Sequence, residues 1–338
     1  MIKDIIEQLI KKKDLTDKQM QQVMRDILSG AIDTDDIVAF LTSLNNKGET
    51  VEELTAAVNV LRQYVEPIIV DKSNILDTCG TGGDGLGTFN ISTLSALVAS
   101  GAGVTVAKHG NRSVSSKCGS ADILEALGVK IDMDIEKIKK CLCEIGIAFL
   151  FAPNLHLAMR AVAPARKRIA QKTIFNILGP LINPAGATNQ LIGVYSKRWV
   201  RPLAEVLHNL GSVHILVVHG ADGLDEATTT DKTFVTEVKN GLLKDYEIVP
   251  EDFGLKRSSL NDLIGGLINE NVKIAQDVLA GKPGSQREIV LLNAGLAIYV
   301  ADKAKTIDEG IKLAKESIDS MSALGKLKQL KEYSQTYG

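Results

Sequence analysis

Three short runs hold residue types that could do chemistry. The first is Asp77-Thr-Cys-Gly-Thr-Gly-Gly-Asp-Gly-Leu-Gly-Thr-Phe-Asn90, which places Gly80, Gly82, Gly83, Gly85 and Gly87 within eight positions. Glycine permits positive φ and lets a ligand approach the backbone closely. An apolar approach, Ile75-Leu76, precedes the run, and a helix-like stretch from Ile91 to Val98 follows it. Strand, glycine loop and helix in that order present backbone N–H groups and a helix N-terminus to an anion. The run is therefore expected to hold a phosphorylated molecule.

The second run, Lys108-His-Gly-Asn-Arg-Ser-Val-Ser-Ser-Lys-Cys-Gly-Ser120, offers three cations and four hydroxyls to anionic oxygens. It follows the apolar stretch Val104–Ala107 and would share the carboxyl edge of a parallel sheet with the glycine loop, the edge where open α/β sheets bind ligands. The third run, His219-Gly-Ala-Asp-Gly-Leu-Asp-Glu226, puts two carboxylates side by side after the apolar stretch His214–Val218. Such a pair suits a hard cation such as Mg²⁺, which favours oxygen ligands and substrate phosphates. Alone, either of these runs also reads as a solvated polar turn. Beside the glycine run they favour a diphosphate screened by a metal.

Several chemistries are disfavoured. Gly80-x-Gly82-x-x-Gly85 formally fits the dinucleotide fingerprint, but the acid needed about 20 residues later to hold a ribose is replaced by Lys108 to Arg112. No Gly-Lys-Ser/Thr follows the glycines, no histidine pair has metal-ligand spacing, and no nucleophile elbow is present. His208, His214 and His219 read as structural. A formal net charge of −2 gives no global attraction to nucleic acid or membrane. The four cysteines, Cys79, Cys118, Cys141 and Cys143, are too few for a disulfide framework in 338 residues and read as reduced, buried thiols of a cytoplasmic protein. The start lacks a signal-peptide core, and no uninterrupted apolar stretch is long enough to span a bilayer.

The elements that must position these runs differ along the chain. Residues 1–70 read as helices: Ile2, Ile5, Ile6, Leu9 and Ile10 form a helical stripe, and Thr16 with Gln19 and Thr50 with Glu53 form capping boxes. Asp33 or Thr34 caps a third helix, and Gly30 and Gly48 are stops. From about Ile68, strand candidates alternate with helices: Ile75–Asp77, Val104–Ala107, Ala148–Phe151, Gln190–Tyr195, His214–Val218 and Phe234–Val238. The tail from about Leu260 to Leu330 is helical. This pattern predicts an α/β fold: a small all-helical N-terminal domain and a larger domain with a mostly parallel sheet flanked by helices. The basic, proline-marked segment from His156 to Pro184 is either a surface connection or a crossover back to the helical module.

Taken together, Asp77-Thr-Cys-Gly-Thr-Gly-Gly-Asp84, Asn90-Ile-Ser-Thr93, Lys108-His-Gly-Asn-Arg112, Gly119 to Gly128, Phe175-Asn-Ile-Leu-Gly-Pro-Leu-Ile-Asn-Pro184 and Asp222-Gly-Leu-Asp-Glu226 resemble the anthranilate phosphoribosyltransferase family of tryptophan biosynthesis, over nearly the whole chain. The resemblance implies transfer of phosphoribosyl from 5-phosphoribosyl 1-diphosphate to the amine of anthranilate, with release of diphosphate. It implies a helical domain of 1–70 joined by part of about 156–185, an α/β domain of 71–155 and 186–338, and a homodimer contacting through the helical parts.

By the same resemblance Gly80, Gly83, Asp84, Thr88, Asn90, Ser92, Thr93, Lys108, Asn111, Ser115, Ser116 and Ser120 hold phosphoribosyl diphosphate. Gly80, Asn111, His156 and Arg166 contact anthranilate. Ser92, Asp225 and Glu226 bind Mg²⁺, as two ions with substrate present. Leu157 departs from the family's usual His-Pro-Ala-Met at the acceptor channel. No general base is assigned, because a weakly basic arylamine sheds its proton late; His109 and the substrate's own carboxylate are the acceptors on offer. Arg166, Asn111 and Lys108 then act by positioning. The rival readings are a pyrimidine-nucleoside phosphorylase, which has no diphosphate for Asp225 and Glu226 to bridge, and a non-catalytic nucleic-acid-binding relative, which needs a broad basic face.

Overall fold

A computed structural model describes residues 1–113 and 117–336; Ser115 and Ser116 lie outside the described residues. Four helices open the chain: α1 (Ile2–Ile10), α2 (Asp17–Leu28), α3 (Thr34–Lys47) and α4 (Val51–Gln63). Their boundaries follow local chemistry. Both capping boxes form, at Thr16–Gln19 and Thr50–Glu53, and Asp33 caps α3 through the Asp36 N–H. Gly30 and Gly48, at φ 76° and 93°, turn the chain out of α2 and α3. Glu53 is fully buried and also ties the module together. It accepts from the Thr50 N–H at 2.9 Å, the Leu15 N–H at 2.8 Å and the Lys47 ammonium at 2.9 Å.

A seven-stranded sheet follows. Its strands are β1 (Leu76–Gly80), β2 (Val106–Gly110), β3 (Ile147–Phe151), β4 (Asn189–Gly193), β5 (His214–Gly220), β6 (Thr233–Lys239) and β7 (Leu242–Ile248), in the order β3-β2-β1-β4-β5-β6-β7. The first five are parallel, and β6 runs antiparallel to both of its neighbours, β5 and β7. The chain builds outward from β1 to β3, then restarts at β4 on the other side of β1. The β1–β4 boundary is therefore a switch point, where diverging loops leave a crevice. Six strands match the expected apolar runs. β7 does not, because it is an edge strand whose exposed Lys244, Asp245 and Glu247 give no apolar pattern. Its signal was the Asn240-Gly241 hairpin turn, both residues at positive φ.

The remaining helices are α5 (Ile91–Gly101), α6 (Ser120–Ala126), α7 (Ile135–Glu144), α8 (Ala152–Leu155), α9 (Ala163–Ile169), α10 (Ile174–Leu178), α11 (Val200–Asn209), α12 (Ile268–Leu279), α13 (Ser285–Val300), α14 (Ile307–Asp319) and α15 (Ser322–Thr336). Alternation along the central strands feeds two cores. Leu216 and Val218 of β5 pack with α5, α13 and α14, whereas Ile215 and Val217 pack with α11 and the N-terminal helices. The proline-marked segment joins that second core through Val162, Ala165, Ile174, Phe175 and Leu178. It is the crossover: α9 lies on α3, α10 on α4, and the Arg62 Nε donates to the Leu181 carbonyl.

One expectation is corrected. Cys141 and Cys118 are buried, but Cys79 is only partly so and Cys143 is exposed; all four are free thiols. Two residues along α7 rotate about 200°, so Cys141 and Cys143 face opposite ways. No helix is long and apolar enough to cross a membrane among the described residues.

Glu53→Ala is expected to lower stability by about 2–4 kcal/mol, since it leaves the Leu15 and Thr50 N–H groups without their acceptor and the Lys47 ammonium with only Asp14 and the Gly48 carbonyl. A urea titration measures this. A loss below about 1 kcal/mol would mean that Glu53 is not the tie described.

Candidate active site

The carboxyl ends of β1, β2 and β5 release the three runs singled out in the sequence. After β1, Gly82, Gly83, Gly85 and Gly87 all take positive φ, between 67° and 79°. The loop thus exposes its backbone and ends at Asn90, which precedes α5. Asn90 Nδ2 donates to the Cys118 carbonyl at 3.0 Å and ties the glycine loop to the second run, while its buried Oδ1 has no partner.

The acidic pair sits directly against this loop. The Gly82 N–H donates to Asp225 Oδ2 at 2.6 Å. The approach needs two glycines. A Cβ at Gly80 would lie 2.5 Å from Asp225 Oδ2, and one on Gly193 of β4 would lie 1.6 Å from the Asp225 carbonyl oxygen. From behind, buried Asn293 of α13 clamps the next residue, accepting from the Ala227 N–H at 3.0 Å and donating to its carbonyl at 2.8 Å. Asp225 and Glu226 are recessed but not fully covered.

Electrostatics at this corner are unfavourable without a cation. Burial and the facing Asp84 push the Asp225 carboxyl up to about 7. Burial and the Asp225 charge push Glu226 up to about 8, opposed by Lys108 and by the Ser92 N–H. Lys108 is a buried cation whose Nζ donates to the Thr78 carbonyl at 2.6 Å and to Ser92 Oγ at 3.3 Å. Gly80, Gly82, Asp84, Ser92, Lys108, Asp225 and Glu226 therefore converge. Three carboxylates, a hydroxyl and open backbone form a hard oxygen donor set, which fits Mg²⁺.

The second run divides. Asn111 and Ser120 bond each other, Ser120 Oγ donating to the Asn111 carbonyl at 3.1 Å and accepting from the Asn111 N–H at 3.2 Å. Arg112, expected among the anion-facing cations, instead pairs with Asp122 and Glu125 of α6. Thr88 makes an isolated bridge to Ile264, and the buried Thr93 hydroxyl has no partner.

His109 does not fit the role of proton acceptor. Its Nε2 lies 2.8 Å from His156 Nε2, and the Gly179 carbonyl bonds its ring from the other side. Burial and neighbouring cationic groups hold it neutral, down to about 3, and burial lowers His156 to about 4. With both nitrogens of His109 engaged, the free ring atom is the buried, unpartnered Nδ1 of His156. The same engagement removes Asp77, Cys79 and His109 as a metal site, although their donor atoms lie within 4.8 Å of one another. Arg166 of α9 is partly buried and has no acidic partner among the described residues. Leu157, earlier in the crossover, is 55% exposed.

Sequence reasoning missed Lys172. Its ammonium donates to the Gly83 carbonyl at 2.6 Å and lies 3.5 Å over the Tyr195 ring. It belongs to the five basic residues between Arg160 and Lys172, a run whose charge was visible but whose target was not.

The raised carboxyls set a pH dependence. At Asp225 and Glu226 the native state binds more protons than the unfolded chain between about pH 4 and 8, so their contribution to stability falls as pH rises through that window. Below about pH 6.5 the neutral His109 and His156 oppose this trend. Metal-free protein should melt at a lower temperature near pH 8.5 than near pH 5.5, and Glu226→Gln should flatten the slope. A variant as steep as the parent would contradict the assignment.

Comparison with known proteins adds to this geometry. Residues 3–65 match the helical bundle domain of a glycosyl transferase family, and residues 72–324 match its a/b domain. The anthranilate phosphoribosyltransferase of Methanobrevibacter smithii is 51% identical over 98% of this chain and 99% of its own. That of Symbiobacterium thermophilum is 47% identical over 98% and 97%. Among solved structures, anthranilate phosphoribosyltransferase from Thermus thermophilus superposes with a TM-score of 0.93 at 40% identity, covering 98% of this chain and 100% of that one. The Saccharomyces cerevisiae protein in complex with PRPP and Mg gives a TM-score of 0.90 at 28% identity, covering 99% and 98%.

Proposed function

This chain belongs to the anthranilate phosphoribosyltransferase family, and we propose that it works by positioning two substrates across the β1–β4 crevice. The reaction moves phosphoribosyl from 5-phosphoribosyl 1-diphosphate to the amine of anthranilate and releases diphosphate, a step of tryptophan biosynthesis. One observation carries the reading: Asp225 and Glu226, held against the glycine loop, form an anionic corner that needs a cation.

Magnesium bound there would supply positive charge to the leaving diphosphate. Asp225, Glu226 and Ser92 hold the metal, two ions being expected when substrate is bound. The positive-φ glycines Gly83 and Gly85 leave backbone N–H groups for phosphate oxygens, the Gly82 N–H being held by Asp225, and Gly80 lines the floor above Asp225. Asp84, Thr88, Asn90, Thr93, Asn111 and Ser120 complete the phosphoribosyl diphosphate wall; Ser115 and Ser116 belong to the same run. Lys108, already donating to Ser92, keeps the metal ligand in place and adds positive charge beside Glu226.

The acceptor side needs a carboxylate receptor and an amine receptor. Arg166, free of acidic partners among the described residues, fits the carboxylate with a bidentate fork. His156 Nδ1 is an acceptor for an amine N–H, and Asn111 and Gly80 face both substrates. No strong base is required, because the amine acidifies as it attacks. His109 fixes the His156 ring rather than taking the proton.

We read the chain as a helical unit of 1–70 with part of 156–185, and an α/β unit of 71–155 and 186–338. A cytoplasmic homodimer contacting through the helical units completes the proposal, with Ile10, 65% exposed on α1, among the apolar side chains such a contact would cover.

Anthranilate fluorescence tests the function. It should fall only when phosphoribosyl diphosphate and Mg²⁺ are both present; unchanged fluorescence with folded protein sinks the proposal. Arg166→Ala should raise KM for anthranilate about tenfold or more, the worth of one charged hydrogen bond. Its KM for phosphoribosyl diphosphate should stay put, and an equal rise in both would move Arg166 elsewhere.

A further inference from the structure

We propose that Lys172 is a diphosphate-binding residue, a cation carried by the crossover and placed over the glycine loop before substrate arrives. The inference rests on the functional reading above and adds to it a residue outside the three sequence runs. Its backbone is fixed on both sides. Ala170, in a left-handed conformation, ends α9, and Thr173 opens α10 with its N–H donating to Asn176 Oδ1 at 2.9 Å. Both helices are anchored in the second core, with the N-terminal helices. The side chain reaches away from that core, across 89 residues of sequence, to the Gly83 carbonyl at 2.6 Å.

Two features make this more than a surface lysine. First, the ammonium rests 3.5 Å above the Tyr195 ring, a seat that holds a cation in place. Tyr195 is itself fixed: its N–H donates to Thr81 Oγ1 at 3.1 Å within the glycine loop, and its hydroxyl accepts from Trp199 Nε1 at 3.1 Å. Second, the exposed Lys172 feels the charges of Asp225 and Asp84, opposed by Arg198, and bonds the Gly83 carbonyl with no ion pair among the described residues. Its hydrogen-bond partner is a neutral carbonyl, so an ammonium with three donors is under-used. Gly83 also keeps the approach open, since a Cβ there would lie 3.2 Å from Lys172 Cε.

A diphosphate lying on the glycine N–H groups brings anionic oxygens to the same loop. A charge-assisted bond to phosphate is stronger than one to a carbonyl. Lys172 then binds the outer phosphate, and the crossover becomes a physical link between the acceptor side, which carries Arg166, and the leaving-group side.

The test compares full-length wild type with Lys172→Met and Lys172→Arg. Steady-state kinetics give KM for each substrate. Fluorescence of Trp199, the one tryptophan of the chain, reports binding of inorganic diphosphate without metal through the Trp199–Tyr195–Lys172 contact. Lys172→Met should raise KM for phosphoribosyl diphosphate and weaken diphosphate binding, each about tenfold or more. KM for anthranilate should remain within about twofold, and Lys172→Arg should restore most of the loss. Wild-type values for phosphoribosyl diphosphate and diphosphate in Lys172→Met overturn the proposal, as does an equal loss for both substrates. If Lys172→Met does not fold, Lys172→Gln is judged by the same criteria. Should wild type bind diphosphate through Lys172 but turn over no anthranilate, the functional reading fails and the lysine site stands. Turnover by wild type with an indifferent Lys172→Met does the reverse.

Discussion

The hydrogen bond from the Gly82 N–H to Asp225 is the contact on which the site depends. It joins the loop after β1 to the loop after β5, two strands that are separated in the sheet by β4. For that to happen the Asp225 backbone must cross the end of β4, and it does so where Gly193 has no side chain. Gly80 leaves the matching space on β1. Asn293 then holds the following peptide by both its N–H and its carbonyl. The acidic pair is fixed in position by backbone contacts, so its geometry is set without a metal.

This fixity is costly in charge. Asp84, Asp225 and Glu226 crowd one recess, and burial adds to their mutual repulsion. Lys108 offsets part of this from beneath, and Lys172 acts from the rim. A site of this kind is destabilised when empty and relieved by a bound cation, a pattern common where binding and catalysis need charges held ready. The sheet supplies the rest of the order: parallel strands bring three loops to one edge, and the reversal of strand order at β1–β4 opens the crevice between them.

Much of this was legible in the sequence, for local reasons. Capping boxes at Thr16 and Thr50 need only neighbours, and the glycine run announces positive φ by composition alone. The acidic pair could be read because two adjacent carboxylates after an apolar strand are unusual. What could not be read were relationships between distant segments. Nothing in Lys172 itself shows that it meets Gly83, and nothing in Arg112 shows that it turns to Asp122 and Glu125. The engagement of His109 by His156 and Gly179 likewise depends on the crossover folding back. β7 was overlooked because an edge strand carries no apolar alternation, although its Asn-Gly turn was present.

In the proposed function the carboxylate corner and the glycine loop form one site for a metal-bound diphosphate. Calorimetric titration of Mg²⁺ into the protein, with and without inorganic diphosphate, tests this most directly. Each ligand should tighten the other by about tenfold or more, a reciprocal coupling near 1.4 kcal/mol. Independent binding of the two, with the same magnesium affinity whether or not diphosphate is present, would contradict it.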